Sequence, residues 1–202
     1  MNKLKGILLT QGMHGMISQV EGLAKALDID FTHHTVELNN FWKMIPPKFT
    51  PISQIVYKKV NQSDFDMIIS CGRKSVIPSI HLKNSLKKKV ISIHVQDPKV
   101  NFNNFDFIVA PEHDSIKGQN VISTKGAIHY LTDEEIIKNK DYLSSFIKKD
   151  HRKICSLILG GPTKYYDYSL KNIKNIFFIL NDLLKKKDFQ LVVIPSMRTP
   201  KN

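Results

Sequence analysis

Cysteine occurs only twice, as Cys71 and Cys155, far apart and in no CxxC pair. That excludes a disulfide framework and a zinc ribbon, and it points to a reducing, cytosolic setting. No apolar run approaches the roughly 20 residues needed to cross a bilayer. The opening MNKLKGILLTQG carries two lysines and a brief apolar run, too short for a signal peptide and without a small-residue cleavage site. GxxxxGK[ST], the six-position dinucleotide fingerprint, HExxH, GxSxG and a paired catalytic Cys/His pattern are all missing. The reading therefore expects no metal and no cofactor. Acidic residues are outnumbered, 18 against 30 basic ones, for a net charge of +12. Such a charge attracts nucleic acid, acidic headgroups or phosphorylated small molecules. Nucleic acid is not expected, because RNP aromatics, zinc-finger spacing and an Arg-interleaved recognition helix are missing and most of the excess charge is lysine. The lysines cluster at 87–89, 148–149 and 185–187, each after or at the end of a predicted helix, where cations suit the helix dipole. Elsewhere they suit a solvated face.

What remains is ordinary globular composition, 42% hydrophobic and 24% charged over 202 residues, long enough for one large domain or two small ones. Short apolar runs predict strands at Leu4–Leu9, Phe31–Val36, Met67–Ser70, Val90–Val95, Phe107–Val109, Val121–Ser123, Ile154–Leu159 and Gln190–Ile194. Between them lie helical patterns. Ile17, Val20, Leu23, Ala24 and Leu27 form one stripe. A second helix starts at Ser75, with Pro78 in its first turn. Thr132 and Glu135 read as a capping box for a helix to about Ile147. A long helix follows Ser169, with Leu170, Ile173, Ile176, Phe177, Leu180, Leu183 and Leu184 as its buried side. PPKFTP separates the aromatic-rich FWKMIPP from ISQIVYKKV, also read as a helix. His33-His34 is expected to place one ring in the core and one on the surface. Alternating strands and helices make an α/β, Rossmann-like parallel sheet. A seam at KKDHRK divides residues 1–150 from residues 151–202, where apolar strand, glycine pair, helix and strand repeat the opening grammar.

In parallel sheets ligands bind outside the carboxyl ends of the strands, and the chemically distinctive residues collect after predicted strands. Gly12 and Gly15 frame His14 and would let backbone amides approach an anion at a helix start; a tight strand-to-helix turn explains them equally well. In CGRKS, Gly72, Arg73, Lys74 and Ser75 suit a phosphate, carboxylate or sugar acid, with Arg73 forking to an oxyanion. Ser75 also reads as the helix cap. His94, Gln96 and Asp97 follow in HVQDP; Glu112, His113 and Asp114 in PEHD; Gly126 and His129 in TKGAIH. The histidines can titrate near neutrality, and the carboxylates can orient them or act as bases. Adjacent Glu112, His113 and Asp114 do not have metal-ligand spacing. Trp42, Met44 and Ile45 read as residues packed under a loop, with an exposed anchor as the other possibility.

Taken in order, GMHGMISQVEGLAKAL, SCGRKSVIPSIHLKN, ISIHVQDPKV, FDFIVAPEHD, STKGAIHYLT, LILGGPTKYY and PSMRTP resemble the elongated-mitochondria (ELM) family of fission proteins and its bacterial relatives. The resemblance implies a GT-B glycosyltransferase, with two Rossmann-like domains facing a cleft. Residues 1–150 would be the acceptor side and residues 151–202 the truncated start of the donor side. It implies transfer of a sugar from a nucleoside diphosphate sugar to an anionic or lipid-linked acceptor of the cell envelope. The base would be His14, Glu112 or His113. Arg73 and Lys74 would hold the acceptor's anionic group, and Gly160, Gly161, Ser196, Arg198 and Thr199 would face the donor. Met197 stands where the family pattern has an arginine, and the family's D-S-x-S-M segment is missing, so an incomplete donor site is expected. The other reading is a non-enzymatic docking factor. The expected location is cytoplasmic, with peripheral contact at an acidic inner-membrane face.

Overall fold

The computed structural model describes residues 3–60, 64–162 and 168–200. The chain divides into two compact units, Met1–Thr132 and Asp133–Asn202. In the first, β1 (Lys5–Thr10), β2 (Asp30–Thr35), β3 (Met67–Cys71), β4 (Ile91–Val95), β5 (Phe107–Pro111) and β6 (Val121–Thr124) form one sheet. The order is β2-β1-β3-β4-β5-β6, and every neighbouring pair is parallel. β3 is buried throughout and β1 at all but its first residue, which is why these strands read as unbroken apolar runs.

Strand order decides which face each connection covers, because parallel crossovers are right-handed. From β1 the chain steps one way to β2 through α1 (His14–Ala26). Every later crossover steps the other way, so residues 36–60 and 64–66, α2 (Val76–Ser85) and the connections after β4 and β5 cover the opposite face. One core layer contains Leu8, Val20, Ala24, Ile69 and Val95. The other contains Ile7, Leu9, Phe65, Ile68, Ile80 and Ile108.

With one helix on its face, α1 is overlaid by the chain that leaves β6. Ile128 packs into the α1-side core, the Tyr130 amide donates to Ser18 Oγ at 3.4 Å, and Lys25 Nζ stands 5.0 Å from the Tyr130 ring centre. The strap crosses at Gly22, where a β-carbon would lie 2.5 Å from the His129 carbonyl oxygen. That close approach explains a glycine in mid-helix. It also changes the expected stripe: Gln19, Val20, Gly22 and Ala24 are buried, while Leu27 is exposed.

Two further expectations are corrected. ISQIVYKKV is no helix; it makes one 3-10 turn, Gln54–Val56, and then an antiparallel bridge from Tyr57 to Leu38. Val56 and Tyr57 are pulled into the core there, and Trp42 packs half-buried against the same cluster. His33 and His34 are both half-buried, because β2 is the sheet's edge strand and neither of its faces is closed.

The second unit holds α3 (Asp133–Asn139), β7 (Lys153–Leu159), α4 (Leu170–Lys187) and β8 (Phe189–Pro195), with β7 and β8 parallel. Ser169 caps α4, its hydroxyl accepting from the Asn172 amide. α3 ends at Asn139 rather than near Ile147. The Asn139 side chain donates to the Glu135 carbonyl at 2.8 Å, taking the acceptor that belongs to the helical ladder. Lys148–Lys149 therefore do not follow a helix. On α4, Ile173, Leu180 and Leu184 are half-buried, while Leu170, Ile176, Phe177 and Leu183 are exposed. Two strands, about 5 Å apart, offer a helix only a narrow floor. Among the described residues no helix is long and apolar enough to cross a membrane.

Candidate site at the carboxyl rim

Strand order reverses between β1 and β3, and open α/β sheets place their ligand crevice outside the carboxyl ends at such a reversal. Two glycines there have φ in the left-handed region: Gly12, at +81°, after β1, and Gly72, at +89°, after β3. Their loops touch. A β-carbon on Gly72 would lie 2.6 Å from Met16 Sδ and 2.7 Å from Gln11 Nε2. Gly12 is braced by Thr10, whose hydroxyl accepts the Gly12 amide at 3.0 Å and meets His33 Nε2 at 2.8 Å. Burial pushes the His33 ring below its ordinary pKa, which suits an imidazole that accepts from Thr10. His14 opens α1 beside Gly12 and is exposed, as is Gly15, with open space where a β-carbon would go.

The CGRKS residues divide by role. Burial pushes the Cys71 thiol up to about 12, so it is no nucleophile near neutrality. Ser75 is fully buried; its hydroxyl donates toward the Cys71 carbonyl at 2.9 Å and the Gly72 carbonyl at 2.7 Å, and it makes no side-chain cap. Its proton holds the turn. Arg73 is exposed, and its Nη2 donates to the carbonyls of Lys43 at 3.0 Å and Ile45 at 2.9 Å. Lys74 is half-buried between them in sequence.

One strand further, His94 is a core residue. It is 1% exposed, its Nδ1 lies 2.8 Å from Ser70 Oγ, and its ring centre is 5.1 Å from that of Phe105. Burial drives its pKa down to about 3 against the opposing pull of Asp97, so the ring is neutral, and Nε2 has no partner. Above it the rim is conformationally loaded. Gln96 holds φ +81° and Lys99 φ +56°, values uncommon for side chains with a β-carbon. The Asp97 carboxylate accepts from the Lys99 amide at 2.8 Å and pairs with Lys99 Nζ at 2.5 Å. The Asp97 amide in turn donates to Asp114 Oδ2 at 3.2 Å, linking the loops after β4 and β5. Glu112 and His113 are exposed on that second loop, His113 Nε2 standing 3.6 Å from Asp114 Oδ1.

The parallel sheet thus aligns Gly12, Arg73, Asp97, Glu112 and Gly126 on one rim, with His94 beneath it. His129 leaves the group. It lies on the strap at Gly22, eight residues along α1 from His14 and about 12 Å down the helix axis. Sequence reasoning passed over Thr10, Gln11, Met16 and Ser70, which brace the loops after β1 and β3 and the His94 ring. A hydroxyl ending an apolar strand was the available signal for Thr10 and Ser70.

In the second unit the loops after β7 and β8 are tied together. Thr199 Oγ1 accepts the Ser196 amide at 2.8 Å and contacts the carbonyls of Leu159 and Gly160 at 3.0 and 2.7 Å. Ser196 Oγ accepts the Arg198 amide at 3.2 Å. Gly161 lies against the Arg198 backbone, where a β-carbon could not fit. The Arg198 side chain is exposed. Thr163 to Tyr166 of the LGGPTKYY motif lie outside the described residues. Among the described residues no three His, Cys, Asp or Glu side chains converge as a metal site would require.

An open parallel sheet whose polar loops gather at a strand-order reversal makes this a Rossmann-like α/β protein. The chain belongs to the family described as Mitochondrial fission ELM1, which it matches over residues 14–202. No curated protein matches it.

Proposed function

We propose that the chain serves glycosyl transfer of the GT-B type, its first unit taking an acceptor and its second a nucleoside diphosphate sugar. The observation that carries the reading is the contact between two left-handed glycine loops, at Gly12 and Gly72, on the strand-order reversal. Gly72 lets Met16 and Gln11 seat against the loop after β3, Gly12 is exposed beside that contact, and the start of α1, with no acidic residue in its first turn, favours a negative group. Exposed His14 stands at that point and takes the base role in this reading; Glu112 and His113 lie three strands further along. The base removes the acceptor hydroxyl proton, the oxygen bonds to the anomeric carbon, and the bond to the diphosphate oxygen breaks. Lys74 and Arg73 suit an anionic acceptor group. The leaving diphosphate needs fixed positive charge, which exposed Arg198 on the tied glycine loop supplies.

The test is thermal unfolding of the chain with a panel of UDP- and ADP-linked sugars. A ligand at a hundredfold its Kd stabilises by about 2.7 kcal/mol, and the shift is expected to shrink in Arg198→Ala. If no nucleotide sugar moves the midpoint, the enzyme reading fails and a docking role is left.

A further inference from the structure

Residues 39–56 form a closed loop whose outer surface contradicts its setting. Its neck is shut by the Leu38–Tyr57 bridge and by the Asn39 amide donating to the Val56 carbonyl at 2.9 Å. The Lys58 amide adds a bond to the Glu37 carbonyl at 2.9 Å. The loop is held from below by Val56 and Trp42 in the core and from the side by Arg73 on the carbonyls of Lys43 and Ile45. Within this pinned frame, Phe41 is 68% exposed, Met44 85%, Phe49 67% and Ile55 63%. Large apolar side chains scattered singly on a surface need no explanation, but several from one braced loop do.

The charge around them names the occupant. From Leu38 to Ser63 the sequence has no acidic residue, while it has Lys43, Lys48, Lys58 and Lys59. Lys48 Nζ stands 4.7 Å over the Phe49 ring, Lys43 Nζ bonds Asn40 Oδ1 at 2.8 Å, and among the described residues neither cation is in an ion pair. A second copy carrying the same +12 charge would be repelled. An anionic lipid surface offers what both groups seek, acyl chains for the apolar tips and headgroups for the lysines.

We propose that loop 39–56 is a membrane-docking element that seats Phe41, Met44 and Phe49 in an anionic bilayer surface with Lys43 and Lys48 on its headgroups. Because Arg73 grips the loop from the carboxyl rim, docking would bring the crevice at Gly12 and Gly72 next to the lipid. The surface stands whether or not the chain transfers sugar.

Trp42, the only tryptophan in the chain, reports from inside the loop. The test adds vesicles of phosphatidylcholine, with or without a third phosphatidylglycerol, to the whole chain and reads Trp42 emission, quenching by brominated lipid and co-sedimentation. Only the anionic vesicles are expected to shift and quench Trp42. Lys43→Gln with Lys48→Gln should weaken sedimentation about 25-fold, from about fivefold per lysine near such a surface. Phe41→Ser, Met44→Ser and Phe49→Ser together should weaken it at least about tenfold. Lys87→Gln with Lys89→Gln, a control just before β4 at the amino ends of the strands, away from the carboxyl rim, should bind as the parent does. Absence of binding by the parent overturns the proposal. So does binding that the control pair loses and the apolar triple keeps, which would mean diffuse charge attraction. Self-association lost in the triple variant, without vesicle binding, would instead mark the loop as a contact between copies.

Discussion

Ser70 and His94 are register partners on adjacent parallel strands, and Ser70 Oγ lies 2.8 Å from His94 Nδ1 in the buried interior, with the His94 ring against Phe105. The imidazole is buried and neutral, with its native pKa pushed down to about 3 from the ordinary 6.5. On acidification the unfolded chain therefore takes up this proton first. The stabilisation is complete above about pH 6.5 and declines as pH falls toward 3. His33, half-buried and also lowered by burial, contributes in the same direction. Urea unfolding between pH 6.5 and 5, where carboxylates stay ionised in both states, isolates the histidines. His94→Leu should take up about one proton fewer on unfolding and flatten the slope; an unchanged slope would show that His94 is not the group responsible.

Gly72→Ala and Gly15→Ala should behave oppositely although both lie at the carboxyl rim. A methyl on Gly72 meets Met16 and Gln11 and must adopt φ +89°, costing about 1–3 kcal/mol. A methyl on Gly15 enters open space on a helix, so the change should be within about 0.5 kcal/mol or favourable. Chemical denaturation midpoints of the two variants decide it. Equal destabilisation would mean that the crevice is not closed by the contact seen at Gly72.

Thr199→Val should loosen the second unit while leaving the first unchanged. The hydroxyl accepts the Ser196 amide, which also donates to the Leu159 carbonyl at 2.9 Å, and it bonds the carbonyls of Leu159 and Gly160, so its loss removes three hydrogen bonds from the tie, at about 1–3 kcal/mol. Thr199→Ser should keep most of that stability. Amide exchange at Ser196 and Arg198 is the readout, and protection unaltered in the valine variant would refute the tie.

β1, β3, β4 and β5 were readable because strands covered on both faces are apolar along nearly their whole length; β2, β6, β7 and β8, less covered, still showed as short apolar or β-branched runs, and helices between parallel strands leave an amphipathic period. The rim followed from the same alternation, since parallel strands all present their carboxyl ends on one side. Where a residue's fate turned on a distant neighbour, local pattern was silent. Gly22 is buried because a strap from beyond β6 crosses it, His94 is a core residue because Ser70 arrives opposite it, and His129 is drawn off the rim by α1. The stripe on α4 was correctly periodic yet stays largely exposed in its two-stranded unit. Periodicity reports which face a helix would bury; only packing supplies the surface that buries it.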